Sequence, residues 1–514
     1  MVFNFDTRNT NVHQALKISS FPLFKYSGIL SKILLYLFIF SFLLIALSLL
    51  GLVSGSTAVK TPIFILVLFT LSLEIYLFNE LKIKNPKMNL LISEAILNPD
   101  SYNLAEFLSL ESCKIVETAI KISKKKKLSE ISPEALFYSA LSESKDVQLL
   151  VFRLGFDIRK LQADLKNDLE KQPRSEQGKL KLLLSESFQE TILEAAKIAN
   201  ERGHNLIGEK EILVSLAKNN QFFKKVLIEL ELKEKDVENI TLWLDSLEEV
   251  IRKNKEFWTK ENLSKFGSFG RDFASGFTVT LDQFSIDWRE FTKKNIFGEI
   301  IGHKKEIDEL EIVLTKSELS NALIIGEEGV GKRSMVQALS QRCYLGTSLD
   351  ELKDKRVVEL DMVSLISRIQ DQEKLEITLD QIFQEVLAAG NVILAIDRLD
   401  NFVTHKIQKP GEVDVSLILA KYLAVPNFQF VGITSFDGLH RKLEQIPAFL
   451  EYFRKIEVSE VTELETIRIL QNLAIALERK YKILILYPSI REIVNLTARY
   501  YPSMPFPKKA IDIL

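Results

Sequence analysis

Residues 321–343 constrain the fold of this chain more than any other stretch. Asn321-Ala322-Leu323-Ile324-Ile325 reads as a short buried strand. It runs directly into Gly326-Glu327-Glu328-Gly329-Val330-Gly331-Lys332, and an amphipathic run from Arg333 to Cys343 follows. A strand, a glycine-spaced loop ending in Gly-Lys and a helix are the context of a phosphate-binding P-loop. The glycines let backbone N–H groups close around phosphate oxygens, and the helix N-terminus adds a favourable dipole. Lys332 is placed to reach the β and γ phosphates of a nucleotide. Gly326, Gly329, Val330, Gly331, Lys332, Arg333 and Ser334 are therefore candidate nucleotide contacts.

A second apolar strand follows a Gly-Asn turn, Val392-Ile393-Leu394-Ala395-Ile396, and ends in Asp397. A carboxylate at the end of such a strand is placed to hold Mg²⁺ beside a bound nucleotide, often through water. Asp397 is the candidate metal ligand.

The N-terminal region is of another kind. Residues 29–53 are almost unbroken Leu, Ile, Phe, Ala and Ser, and a second apolar run covers 62–78 after Gly55-Ser56-Thr57. Each is about long enough to cross a hydrocarbon core of roughly 30 Å as a helix. A cleaved signal peptide does not fit, because the first run is too long and a second follows at once. A buried core hairpin is the competing structure, although runs this apolar have no polar face to turn to water. Glu74 lies within the second run, at a position suited to pairing or snorkelling near an interface. Arg8, Lys17, Lys25 and Lys32 flank the first run and Lys82, Lys84 and Lys87 follow the second, while the connecting loop has only Lys60. The positive-inside rule then expects a two-pass membrane protein with its 1–28 segment and its main soluble part in the cytoplasm.

The formal net charge of -2 leaves no basic footprint for a nucleic-acid partner. Cys113 and Cys343 stand far apart, which suggests two buried thiols rather than a disulfide framework or a Cys-based zinc site. Between Glu106 and Asn239 there is an internal repeat with a period of roughly 76 residues. The second copy starts at Ser185-Glu186-Ser187-Phe188 and passes through Gly203-His204-Asn205-Leu206-Ile207-Gly208 into Glu211–Leu216. The first runs from Cys113 to Ser123, through the lysines 124–127, to Ile131-Ser132-Pro133-Glu134. Apolar residues recur at three and four in both, which predicts paired helices, and Ser132-Pro133-Glu134 is a strong helix start. His204 reads as a packing or capping residue. The lysine run reads as a solvated turn, with anionic lipid headgroups as the other candidate partner.

The duplicated helical module, the P-loop and the Asp397 strand together resemble the Clp branch of AAA+ ATPases (ClpB/ClpC-like ATP-binding subunits). The resemblance implies an all-α duplicated N-domain at 100–240 and a linker at 241–295, which contains Gly270-Arg271-Asp272. An α/β AAA+ P-loop subdomain at 296–460 and a helical lid at 461–514 follow. Ile300-Ile301-Gly302-His303 resembles the segment that holds adenine, so Ile301 is a candidate base contact, with His303 where the family has Arg. Val431–Asp437 resembles the sensor-1 strand, making Thr434 and Ser435 candidates near the γ phosphate. Pro507–Asp512 resembles the sensor-2 helix, with Lys509 at the family's lysine. The resemblance further implies ATP and Mg²⁺ as ligands and a homo- or mixed hexameric ring of AAA+ subunits. It implies protein substrates or adaptors received by the N-domain, and a peptidase or refolding partner.

Four positions depart from that pattern. Arg333 replaces the Mg²⁺-binding Ser or Thr, and Ser334 is turned about 100° around the helix from it, which leaves Arg333 itself to lie against phosphate. Arg398 replaces the glutamate that polarises the attacking water, and a cation cannot accept that water's proton. Glu451-Tyr452-Phe453 stands where an Arg pair precedes Phe. Ile369–Glu373 lacks the aromatic of the substrate-gripping pore loop. Mg²⁺ binding and hydrolysis are in doubt on these grounds, and no residue is assigned a catalytic role. Leu514 falls a few residues into the sensor-2 helix, so the expectation is a fragment of a longer reading frame. Two functions follow: a membrane-anchored ATP-binding subunit of a protein unfoldase, protease or disaggregase system, or a non-hydrolysing nucleotide-binding scaffold or adaptor in a mixed ring.

Overall fold

A computed structural model describes residues 4–8, 10–49, 55–79, 91–174, 183–255, 278–293, 300–316, 319–369, 371–403 and 414–514. The chain divides into two compact units, Met1–Leu242 and Trp243–Leu514.

In the first unit the repeat becomes a pair of four-helix sets. Leu110 and Glu186, Pro133 and Glu209, Lys145 and Gln221, and Ile158 and Glu234 open matching helices, each pair 76 residues apart. The copies are joined reciprocally. β1 (Glu130–Ile131) pairs in parallel with β2 (Leu183–Leu184), and Leu108 bridges Ile207 in the equivalent way. Ser132 caps its helix by accepting from the Ala135 N–H, with Pro133 in the first turn. His204, half exposed, is neither packed in the core nor the cap itself, but buttresses Glu211 of the capping box. Its Nδ1 lies 3.1 Å from Glu211, whose other oxygen accepts from the Gly208 N–H at the start of the next helix. Burial alone would raise the Glu211 pKa, but His204, Arg202 and the backbone hold it below the usual carboxylate range. In the lysine run, Lys126 pairs with Glu170 at 3.4 Å while Lys124, Lys125 and Lys127 are exposed. Both cysteines are free and buried, and desolvation pushes each thiol up to about 12.

The two apolar runs form helices Ser27–Leu49 and Gly55–Phe78, which pack on one another. Asn79 Nδ2 reaches the Phe24 carbonyl at 3.4 Å, so the hairpin closes at its base. The second helix begins at Gly55, not Pro62: Gly55-Ser56-Thr57 is its first turn rather than a connecting loop. The transmembrane reading is not supported here. Residues 50–54 and the side chains of 41–49 and 55–63 lie outside the description. Among the described residues no helix is long and apolar enough to cross a membrane.

In the second unit a six-stranded sheet runs in the order β3-β5-β6-β7-β4-β8. Its strands are β3 (Ser285–Asp287), β4 (Asn321–Gly326), β5 (Arg356–Leu360), β6 (Val392–Ile396), β7 (Gln429–Thr434) and β8 (Arg454–Val458). All pair in parallel except β3, which is antiparallel to β5. The central strands are covered on both faces, which explains their near-continuous apolar sequence. Alternate residues feed separate cores. Leu323, Ile325, Leu394, Ile396 and Phe430 pack with helix Gln372–Ala389, and Ala322, Ile324, Ile393, Ala395, Val431 and Ile433 with Lys304–Leu314 and Lys332–Leu345.

Two elements cross the bounds expected from sequence. Helix Glu234–Lys255 continues past residue 240, and β3 with helix Val279–Gln283 joins the α/β subdomain from within the expected linker. Asp287 anchors that edge by accepting from Arg356 Nε at 2.7 Å. The Gly270-Arg271-Asp272 stretch lies outside the described residues, as does Gln370 of the expected pore-loop stretch. The 461–514 segment is helical, with Glu463–Tyr481, Tyr487–Tyr500 and Lys508–Ile511.

Candidate nucleotide site

The site gathers at the C-terminal ends of β4, β6 and β7, where an open α/β sheet places its ligands. β4 lies beside β7, with Ile325 opposite Thr434, and β6 lies on the other side of β7, with Ile396 opposite Gly432. The chain leaves β4 at Gly326 and turns through Gly329 (φ 100°) and Gly331 (φ 107°) into helix Lys332–Leu345. Only glycine holds such φ values without strain. The backbone cradle expected from sequence is therefore present.

Lys332 folds back on the loop, donating to the Gly326 and Glu327 carbonyls at 2.6 and 2.7 Å. Burial lowers its pKa, opposed by Asp397, Glu328, Glu327 and Asp400. Arg333 turns toward β5. It contacts Glu359 at two points, 2.8 and 3.0 Å, and its guanidinium lies 5.2 Å over the Trp288 ring. Trp288 Nε1 donates to the same carboxylate at 3.1 Å. The Arg333 charge is thus engaged by Glu359 rather than left for phosphate. Glu359 is only 7% exposed, and burial raises its pKa against the pull of Arg333. Ser334, half-buried, follows on the helix.

Asp397 stands one residue beyond β6, and its carboxylate accepts from the Arg398 N–H at 3.0 Å. Arg398 adopts φ 50°, and its guanidinium lies 3.7 Å from Glu328 on the P-loop, both side chains about two-thirds exposed. Thr434 donates to Asp400 at 2.9 Å, and Lys442 contacts the other Asp400 oxygen at 3.3 Å. Ser435 is a helix cap, accepting from the Gly438 N–H at 2.9 Å. His303 Nε2 meets the Val330 carbonyl of the P-loop at 2.8 Å, and Ile301, two residues before His303, is half-buried.

The lysine beside the P-loop is Lys508 rather than the expected Lys509. A Cβ on Gly329 would fall 2.5 Å from the Lys508 stem. Lys509 is buried over the Phe506 ring at 3.9 Å, with Glu460 at 3.9 Å. A cavity of about 510 Å³ opens beside the loop, lined by Glu327, Val330, Phe436, Glu457, Glu460 and Pro505 among others. At the missing Arg-pair position Phe453 is core and Glu451 is exposed, while Arg441 is engaged by Asp437 at 2.7 Å.

Sequence reasoning missed Glu328, Glu359, Asp400, Trp288 and Lys508. Only Asp400 had a local signal, the Asp-x-x-Asp spacing with Asp397. The arrangement can hold a polyphosphate on the loop N–H groups and Lys332. It has no carboxylate at residue 398 to accept a proton from water.

Residues 108–238 match the Clp repeat (R) N-terminal domain, and residues 462–514 match an AAA lid domain. The ATP-dependent Clp protease ATP-binding subunit ClpC of Staphylococcus aureus is 31% identical over 317 residues, covering 62% of this chain and 37% of that protein. The chaperone protein ClpB of Oceanobacillus iheyensis is 29% identical over 318 residues, covering 62% and 38%. The chain thus spans less than two fifths of the length of these relatives. A solved S. cerevisiae Hsp104:casein complex matches at 25% identity with a TM-score of 0.41, covering 45% of this chain and 40% of that one. The chain therefore carries a Clp repeat N-terminal domain and an AAA lid domain homologous to those of ClpC and ClpB proteins.

Proposed function

We propose that this chain is a Clp-type subunit of a protein-remodelling assembly whose nucleotide module binds ATP or ADP without hydrolysing it. The observation that carries the reading is Arg398. It stands where a water-polarising carboxylate is required and makes an ion pair with Glu328 of the P-loop. The loop itself keeps the glycine conformations and the lysine that phosphate binding needs. Motor activity would then be supplied by active subunits in a mixed ring, with this chain contributing its Clp repeat domain to receive substrates or adaptors. The test is to measure nucleotide binding and turnover separately on the purified chain. Turnover at rates ordinary for AAA+ rings, abolished by Lys332→Ala, would sink the proposal.

We propose as a second element of the reading, resting on the sequence, a membrane anchor with both flanks cytoplasmic. The basic flanks and the two apolar runs are its basis in sequence. Its described side chains add support, since Ile29, Phe40, Phe64, Val67 and Leu71 are all more than half exposed. Release of the full chain from membranes by alkaline carbonate would rule the anchor out.

A further inference from the structure

We infer that the nucleotide site takes its polyphosphate without a divalent metal, an inference that rests on the nucleotide-binding reading above. Mg²⁺ demands near-ideal octahedral oxygen ligation and in P-loops takes a hydroxyl from the first helical turn. Here that position is Arg333, which offers no oxygen. Its guanidinium is clamped by two contacts to Glu359 and lies over Trp288, so it does not vacate the place. Ser334 is turned about 100° around the helix. Of the carboxylates whose charge acts on Lys332, Asp397 alone stands at the expected metal position; Glu328 is paired with Arg398, and Asp400 is held by Thr434 and Lys442. The residues present do not fit the ion.

The positive charge that Mg²⁺ would bring is already in place. Lys332 lies at the loop, and Arg398 faces it from the β6 turn. Glu328 holds Arg398 through a single 3.7 Å contact between exposed side chains. Such pairs contribute little to stability, so a phosphate exchanges readily for the carboxylate. A divalent cation added to this group meets fixed cations and gains one protein ligand. The ligand class is a nucleoside di- or triphosphate in its metal-free form.

The experiment titrates the full chain with fluorescent ADP and ATP analogues, in excess Mg²⁺ and in EDTA. Mn²⁺ paramagnetic resonance is recorded alongside. The wild type is expected to bind with the same affinity in both buffers and to immobilise no Mn²⁺. Arg398→Ala, an exposed change, is expected to weaken binding in EDTA. Arg333→Thr, made together with Glu359→Gln so that no unpaired carboxylate is buried, is expected to make Mg²⁺ strengthen binding roughly tenfold. Wild-type binding that tightens roughly tenfold with Mg²⁺, or Mn²⁺ immobilised with nucleotide, overturns this inference alone. Absence of nucleotide binding in both buffers overturns it together with the nucleotide-binding reading.

Discussion

Arg333, on the first turn after the P-loop, holds Glu359 of β5 through two contacts of 2.8 and 3.0 Å, and Trp288 donates to the same carboxylate. Glu359 is buried and Arg333 half exposed, so the two ends of the pair differ in what their loss would do. Truncating Arg333 leaves a buried carboxylate with only the indole N–H. A buried pair broken at one end costs about 3–5 kcal/mol, and the exposure of Arg333 reduces this, so Arg333→Ala should cost ~2 kcal/mol. Adding Glu359→Gln should recover part of the loss. Denaturant unfolding followed by tryptophan fluorescence measures both, and an Arg333→Ala midpoint equal to wild type would refute the clamp.

Arg398 and Glu328 form the contrasting case. Both are exposed and 3.7 Å apart, so Arg398→Ala should change stability by less than ~0.5 kcal/mol. Its consequence is chemical. Arg398→Glu restores a carboxylate near the expected water but leaves the helix without a metal-binding hydroxyl. ATP turnover should therefore remain at background for Arg398→Glu and rise only when Arg333→Thr is added. A phosphate-release assay decides this, and full turnover from Arg398→Glu alone contradicts it.

The sequence makes local features legible and long-range partners not. Apolar strands covered on both faces, the Ser132-Pro133 helix start and the 76-residue period each depend on neighbours along the chain, and each appears where expected. Arg333 and Arg398 were visible as departures, but their partners were not, because β5 and the P-loop meet them only across the folded sheet. That Lys508 rather than Lys509 lies against Gly329 was not legible for a related reason. Adjacent helical residues point about 100° apart, and only the docking of that helix decides which faces Gly329. Gly55-Ser56-Thr57 stood as a short polar stretch before the second apolar run, yet small polar residues also open helices, and here they do.

Gly438 is fixed by close approach rather than by φ. A Cβ there would fall 2.4 Å from the Asp400 carboxyl carbon and 2.7 Å from Thr434 Oγ1. These are the two groups whose 2.9 Å hydrogen bond joins the β6 turn to the end of β7. Gly438→Ala must push them apart and should cost about 1–3 kcal/mol, the range for overpacking a filled site. An unchanged thermal midpoint for the purified variant would show that the turn yields freely.

The helical repeat domain should lose stability through neutral pH at Glu209. This side chain opens the helix Glu209–Asn219, and its pKa is pushed up to about 7 by burial first, then by Asp146 and Glu111, with Lys210 opposing. A carboxyl whose folded pKa is raised contributes stability fully present below its unfolded pKa, near 4.5. That contribution disappears as pH rises through about 7, because the charged form is then forced beside Asp146. Glu209→Gln stays neutral throughout. The variant should match wild type below about pH 4.5, pull ahead between there and about 7, and melt at a higher temperature in mildly alkaline buffer. Thermal unfolding of both proteins across that window is the measurement. A constant difference between them at every pH would mean that Glu209 does not titrate there, and the carboxyl group would then be ionised at no cost in its present surroundings.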